Sequence, residues 1–273
     1  MANKPIRSCK MNKIIVIKGG GDIATGIAHR LHQSRFKVVI TESPEPTVVR
    51  RTVAFAQAVR CGPTVVAGVT AQLATSRQAG EILAAGNIPV IVDPSARCVQ
   101  ELKPQAVIDA IIAKRNTGTH ITDAPIVIGV GPGFIAGVDV HAVVETMRGH
   151  DLGLVIYQGT AVANTGIPGE VGGYALERLI KAPTAGVFTA CREIGDSVAA
   201  GQTVGYVGSS PVMVAIGGML RGLIQQGLTV TAGLKIGDVD PRCCREHCFT
   251  ISDKARAIGG GVLEALLHLG VER

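Results

Sequence analysis

Tryptophan is absent and aromatic residues make up only 3% of the 273-residue chain. That scarcity removes the stacking platforms of single-strand nucleic-acid binders, so nucleic acid is not an expected partner. Charged residues are also sparse at 18%, against 47% hydrophobic, which excludes intrinsic disorder and predicts real buried cores. No apolar run suits a membrane helix. The longest uncharged stretch, Ser197 to Leu220, contains Gly201, Gly205, Gly208, Pro211 and Gly217 and reads as strands and turns. The polar opening from Met1 to Lys10 predicts no signal peptide and a cytoplasmic protein. Seven scattered cysteines, an odd number, predict thiols rather than a disulfide framework.

Glycine, in contrast, is abundant at 35 residues without a three-residue period, which points to many tight turns and close backbone approaches. Charge is uneven along the chain. Sixteen basic residues accompany seven acidic ones up to position 119, and eleven accompany fourteen after it, a net of +9 followed by −3. A basic front half suits an anionic ligand such as a phosphate.

The run Ile14-Ile15-Val16-Ile17 is too short for a helix and predicts a strand covered on both faces. After glycines 19–21, Ile23, Ile27, Ala28 and Leu31 recur at helical spacing from Asp22 to about Gln33, and Lys37 to Thr41 is a second buried strand. The alternation continues with a helix near Val48–Val59, a strand pair near Thr64–Gln72, a helix Ser76–Ala85, and strands at Ile88–Val92, Val107–Ile112 and Ile126–Val130. A helix Asp139–Met147, a strand Leu154–Tyr157 and a Gly/Pro-rich loop to Gly173 follow. A last helix begins at a Ser252 cap, breaks at Gly259-Gly260-Gly261 and resumes through Val262, Leu263, Leu266 and Leu267.

Ile194–Val207 and Gln226–Val239 form an internal repeat. At a constant offset of 32 residues, Gly195 matches Gly227, Val198 matches Val230, Ala200-Gly201 match Ala232-Gly233, and Val204-Gly205 match Ile236-Gly237. Two interlocked strand–turn–strand halves are expected. The string Gly195-Asp196 to Gly201-Gln202 resembles the barrel-sandwich hybrid of biotinyl and lipoyl domains, but the hairpin tip is Gly208-Ser209-Ser210 and lacks their lysine, so carrier function does not transfer. The expected fold class is therefore α/β: a Rossmann-like, mostly parallel sheet with its linking region over residues 12–175, a small all-β barrel-sandwich-hybrid-like module over 176–242, and a C-terminal helical segment over 243–273 that packs back on the body.

Gly19, Gly20, Gly21 and Asp22, followed by Ala24, fit the G-x-G-x-x-[G/A] pattern between strand and helix that admits a dinucleotide pyrophosphate. Glu42 ends the second strand at the spacing of a ribose-binding acid, which favours NAD over NADP. Asp22 competes with a phosphate for the helix amides, so an empty turn with Asp22 as cap is the alternative. Lys18 is an auxiliary candidate in either case. Cys243, Cys244 and Cys248 cluster with His247 near Arg242 and Arg245, which would stabilise a thiolate. Adjacent cysteines seldom ligate one ion, so no metal site is assigned; Cys248 is the candidate reactive thiol, and an ordinary loop is the alternative. His120, His141 and His150 lie near Asp123, Asp139 and Asp151 without a spacing that unites them, and Gly131-Pro132-Gly133-Phe134 is a turn or a second ligand-contacting loop.

The strings I-K-G-G-G-D-I-A-T-G from Ile17, G-V-G-P-G-F from Gly129, E-T-M-R-G-H-D-L-G from Glu145, K-I-G-D-V-D-P-R from Lys235 and I-S-D-K-A-R-A-I-G-G-G-V-L-E-A from Ile251 together resemble the YqeB-type accessory proteins of selenium-dependent molybdenum hydroxylases. The first turn is also similar to the Rossmann part of XdhC-type factors, which handle molybdenum cofactor before insertion. The resemblance implies a maturation factor with a molybdenum hydroxylase as client, a nucleotide or pterin-phosphate ligand at the glycine turn, and molybdenum cofactor as cargo. It supplies no catalytic residue. An NAD-dependent oxidoreductase and a non-catalytic scaffold are the alternatives, and catalysis and homo-oligomerisation stay open.

Overall fold

The computed structural model describes residues 12–271. Cys9 and the polar opening through Lys10 lie outside the described residues. The chain begins β1 (Asn12–Lys18), α1 (Asp22–Gln33), β2 (Lys37–Glu42), then two 3₁₀ turns over Arg51–Val53 and Phe55–Gln57, and α2 (Ala58–Cys61). It continues β3 (Thr64–Val66), β4 (Val69–Ala74), α3 (Ala79–Ala84), β5 (Ile88–Val92), α4 (Cys98–Leu102), β6 (Pro104–Asp109), β7 (Ile126–Val130), β8 (Ala142–Val144) and β9 (Val155–Ile156).

All nine strands join one sheet in the order β3-β4-β5-β2-β1-β6-β7-β8-β9. Alternation within each strand separates the two faces. Ile15, Ile17, Ile40, Val90, Ile108 and Ile128 lie against α1, while Val16, Val39, Val107, Val127 and Val143 share the opposite core with Phe134 and Cys98. Within α1, Ile27 and Leu31 are completely buried, each contributing about 1.5–3 kcal/mol by removal from water.

The second half contains β10 (Leu179–Lys181), β11 (Gly186–Ala190), β12 (Ser197–Val198), β13 (Thr203–Val207), β14 (Ser210–Met213), β15 (Gly218–Leu223), β16 (Thr229–Val230), β17 (Lys235–Asp240) and α5 (Asp253–His268). Strands β11, β12 and β13 stand 32 residues before β15, β16 and β17. Each copy completes the other: β12 pairs with β15, and β16 pairs with β11. Equivalent glycines adopt left-handed backbone, Gly195 and Gly227 at φ +100° and +86°, Gly201 and Gly233 both at +78°.

The expected architecture, a Rossmann-like sheet followed by a biotinyl/lipoyl-like module, is overturned. The large sheet is mixed, with antiparallel pairs at both edges, β3 with β4 and β8 with β9. From β6 to β7 and from β7 to β8 the parallel crossovers are irregular chain without helices. The helix expected over Asp139–Met147 is instead strand β8 and its flanks, because Ala142, Val143 and Val144 are all buried and need cover on both faces rather than one.

The repeat region forms two four-stranded antiparallel sheets, β10-β17-β15-β12 and β14-β13-β11-β16, joined to the body by the segment expected to be a helix at Val48–Val59. The backbone of that segment is committed elsewhere: Leu223 N–H donates to Val49 O at 2.9 Å, and Arg51 Nε donates to Leu223 O at 2.7 Å. Helix α5 runs unbroken through its three glycines. A Cβ at Gly259 would stand 3.1 Å from Gly26 O, and one at Gly26 would stand 2.6 Å from Ala255 Cβ, so the glycines let α1 and α5 nearly touch.

Candidate anion-binding cavity

Ion pairs between buried groups organise the junction between the large sheet and the repeat region. Along β17, Asp238 and Asp240 project to one side, as the two-residue period requires. Asp238 accepts from Arg178 Nη2 at 2.9 Å and from Arg221 Nε at 2.6 Å. Asp240, fully buried, pairs with Arg221 at 3.3 Å and with Arg242 at 2.7 Å. Burial alone would raise the Asp240 pKa, but the Arg242 hydrogen bonds and the charges of Arg221 and Arg242 hold it down to about 2.

A carboxylate depressed in the folded state contributes stability above its unfolded pKa and loses it as pH falls through the folded value. The chain is therefore expected to lose about 2 kcal/mol from Asp240 between pH 4 and pH 2. Asp253, lowered chiefly by its hydrogen bonds from Arg148, adds in the same direction. Urea unfolding midpoints from pH 5 downward measure this loss, and a constant midpoint would refute it.

These pairs frame a cavity of about 350 Å³ at the carboxyl ends of β1, β6, β7 and β8. This position, beyond β1 with β2 on one side and β6 on the other, is where a parallel sheet's connections diverge and leave a crevice. Both halves of the chain build the wall. Arg50, Lys114, Arg148 and Lys254 come from the body, and Arg178, Arg221 and Lys235 from the repeat region. Asp22 and Asp238 also line it. Seven cations against two carboxylates give it a positive charge excess that favours an anion. Lys114 and its neighbour Ile112 hold positive φ, +63° and +60°, the strained backbone that tends to occur at functional loops.

The strings singled out in the sequence meet here, each with a physical task. Glu145 is buried, and its carboxylate accepts from the N–H groups of Thr146 and Met147 at 2.6 Å and of Val162 at 2.7 Å. It thereby fastens both the 146–148 turn and the loop carrying Asn164 and Thr165 to the cavity edge. Arg148 makes a two-pronged pair with Asp253 at 2.8 and 2.9 Å. Ser252 caps α5 by accepting from Ala255 N–H at 3.2 Å, which places Lys254 in the wall.

The glycine turn has a different arrangement from a dinucleotide loop. Glu42 uses both carboxylate oxygens on backbone, accepting from Gly20 N–H at 2.8 Å and Ser43 N–H at 2.7 Å, so its task is to hold the turn. A Cβ on Gly20 would stand 2.9 Å from Ala56 N, and one on Gly19 would stand 3.0 Å from Ile111 Cα. These two glycines thus admit other parts of the chain. Gly21 is the open one, with only Val48 at 3.7 Å. Asp22 lines the cavity and pairs with Arg50 at 3.2 Å; its side chain does not cap α1. Lys18 is buried, donating to Thr119 at 2.5 Å and pairing with Asp109 at 3.5 Å.

Cys248, the candidate thiol, is not exposed. It is fully buried in the repeat-region core with Phe188 and Leu220, and burial pushes its pKa up. Cys243 is exposed, and Cys244 Sγ donates to Glu246 at 3.2 Å. Among the described residues no group of three His, Cys, Asp or Glu side chains is arranged to hold a metal ion. The three histidine–aspartate neighbourhoods do not converge: His141 Nδ1 accepts from Val127 N–H, while His120 N–H donates to Asp123. Of the Gly131–Phe134 loop, Pro132 reaches the cavity and Phe134 packs in the core. A second cavity, of about 580 Å³, lies near Asp93, Arg97 and Cys98, whose thiol burial and Asp93 push up to about 12.

No family model matches the chain. Its sequence is 51% identical over 265 residues to the Escherichia coli (strain K12) protein YqeB, an overlap of 96% of this chain and 49% of that protein. The chain is similar to YqeB. It spans about half the length of that relative. Among solved structures it is similar to a succinylglutamate desuccinylase/aspartoacylase from Rhodobacter sphaeroides, at 15% identity and TM-score 0.27, over 84% of this chain and 85% of that one. An aspartoacylase family protein from Mesorhizobium loti matches at 10% identity and TM-score 0.27 over the same shares. Among the described residues no helix is long and apolar enough to cross a membrane.

Proposed function

We propose that the chain is an accessory factor in the maturation of selenium-dependent molybdenum hydroxylases and holds a nucleotide or pterin-phosphate ligand in the cationic cavity. The observation that carries this reading is the convergence of the strings from Ile17, Gly129, Glu145, Lys235 and Ile251 on one anion-seeking cavity, in a chain 51% identical to YqeB over its overlap. Residues scattered over the sequence meet where a parallel sheet opens its crevice, and their charges favour a phosphate. The scheme uses ligand holding and client contact; no reacting side chain is assigned.

Native mass spectrometry of freshly purified protein, followed by titration with NAD, NADP, ATP, CTP and molybdenum cofactor, tests the ligand. Affinity capture of a molybdenum hydroxylase tests the client. Saturable binding of a phosphate-bearing ligand together with capture of the hydroxylase, without turnover, is the expected result. Nicotinamide-dependent turnover would overturn the reading, as would an absence of both ligand and hydroxylase binding. The oxidoreductase alternative is weakened by Glu42, whose two oxygens are already engaged by backbone amides.

A further inference from the structure

The seven cations of the cavity are not equivalent. Its four arginines all have partners within the protein. Arg50 binds Asp22 and the carbonyl of His247, Arg148 binds Asp253, Arg178 binds Asp238 and the carbonyls of Gly169 and Val239, and Arg221 binds both Asp238 and Asp240. The side chains of the three lysines, Lys114, Lys235 and Lys254, make no hydrogen bond or ion pair among the described residues, although all line the same cavity.

Two of these lysines stand in surroundings that oppose their charge. The Lys235 pKa is lowered chiefly by desolvation of its ammonium, although the residue as a whole is exposed, with Asp238 and Asp22 acting against Arg221 and Arg178. Lys254 is lowered by burial and Arg148, with Asp22 and Glu145 acting against Lys235. Ammonium groups that line one cavity repel one another, as Lys235 lowers Lys254, and an anion among them relieves that repulsion.

The free donors select the anion. With the arginine forks occupied, the cavity does not offer the planar two-pronged geometry that matches a carboxylate. It offers three point charges, each able to turn a donor toward an oxygen, which suits the three terminal oxygens and double charge of a phosphate monoester. A phosphodiester or each inner phosphate of a dinucleotide has two such oxygens and one charge, and leaves an ammonium unmatched. The start of α1, at Asp22 and Ile23, lies in the same wall, with the Asp22 charge answered by Arg50 at 3.2 Å. The same wall also carries the aliphatic and amide side chains of Met147, Val162, Ile167 and Asn164, which suit a small polar ring.

Resting on the reading of the cavity as an anion site, we infer that its ligand carries a terminal phosphate monoester, seated among Lys114, Lys235 and Lys254. Calorimetric titration of the full chain with AMP, CMP, inorganic phosphate, adenosine, NAD and malonate tests this. Either nucleoside monophosphate should bind at least tenfold more tightly than adenosine, NAD or malonate, and inorganic phosphate should compete with it. Lys235→Ala and Lys254→Ala should each weaken that binding at least tenfold while leaving the thermal melting temperature within about 2 °C of the parent. Inorganic phosphate binding without added affinity from a nucleoside would keep the phosphate seat and assign the ring to another chemistry. Malonate or NAD binding as tightly as the monophosphates would preserve the anion site and overturn the monoester. Unchanged binding in both lysine variants would likewise move the seat elsewhere. If no anion binds the parent chain, both this inference and the anion-site reading fail.

Discussion

Asp238→Ala is expected to cost about 3–5 kcal/mol, enough to threaten folding, because it takes from the buried Arg178 its only carboxylate partner and from Arg221 one of two. Asp238 is 3% exposed and links Arg178 from the approach to β10 with Arg221 from β15. Burial lowers the Arg178 pKa, and Asp238 is the foremost group opposing that effect. Urea titration should show a markedly lower midpoint with an unchanged slope. A companion variant replacing Arg178, Asp238 and Arg221 together by apolar residues of similar size should recover most of the stability, since a buried ionic cluster often adds little net free energy. A loss below 1 kcal/mol in Asp238→Ala would show that the cluster is hydrated rather than buried.

Gly26→Ala is expected to destabilise by about 1–3 kcal/mol, the reverse of the usual effect in a helix interior, because an added methyl overfills a closed contact. Its Cβ would lie 2.6 Å from Ala255 Cβ and 2.9 Å from Ala255 O, so α5 must move away from α1. Lys254 precedes Ala255, and the displacement should carry its ammonium away from the cavity, so weaker anion binding should accompany the lost stability. Gly80→Ala is the internal control. Gly80 lies in α3 with nothing near its missing side chain, and the same substitution there should stabilise by about 0.5–1 kcal/mol through the unfolded chain. Thermal unfolding of the two variants should shift in opposite directions. Equal shifts would mean that α1 and α5 separate at no cost.

Local readings of the chain succeeded where one periodicity decided them. The apolar runs of β1, β2, β5 and β7, the amphipathic stripe of α1 and the 32-residue repeat all depend on neighbours in sequence. Readings failed where a distant partner overrode local preference. Gly259-Gly260-Gly261 looks like a helix break until Gly26 and Ala255 show that close helix contact requires small residues there. Val48–Val59 looks helical until its backbone and Arg51 are claimed by Leu223.

The candidate site was legible only in part. Asp22 was found from its glycine turn, and Arg148, Lys235, Asp238 and Lys254 lay inside the strings that carried the resemblance. Arg50, Lys114, Arg178 and Arg221 carried no signal, because a lone basic residue in a sequence is ordinarily a solvated one. The charge balance suggested the front half as the anion-binding part, yet five of the seven cavity cations follow position 119. Three of them, Arg148, Arg178 and Arg221, are paired with Asp238, Asp240 and Asp253, and those carboxylates conceal them in a net count.

By itself, the sequence determined the positions of many strands and helices, the absence of a stacking surface and the doubled strand pattern, since each follows from residue type and spacing over a short range. Tertiary structure alone decided that Glu42 holds the turn, that Cys248 is buried, and that seven cations from both halves share one cavity. Those outcomes depend on which groups meet across the fold, and charge, burial and hydrogen-bond competition act through space rather than along the chain.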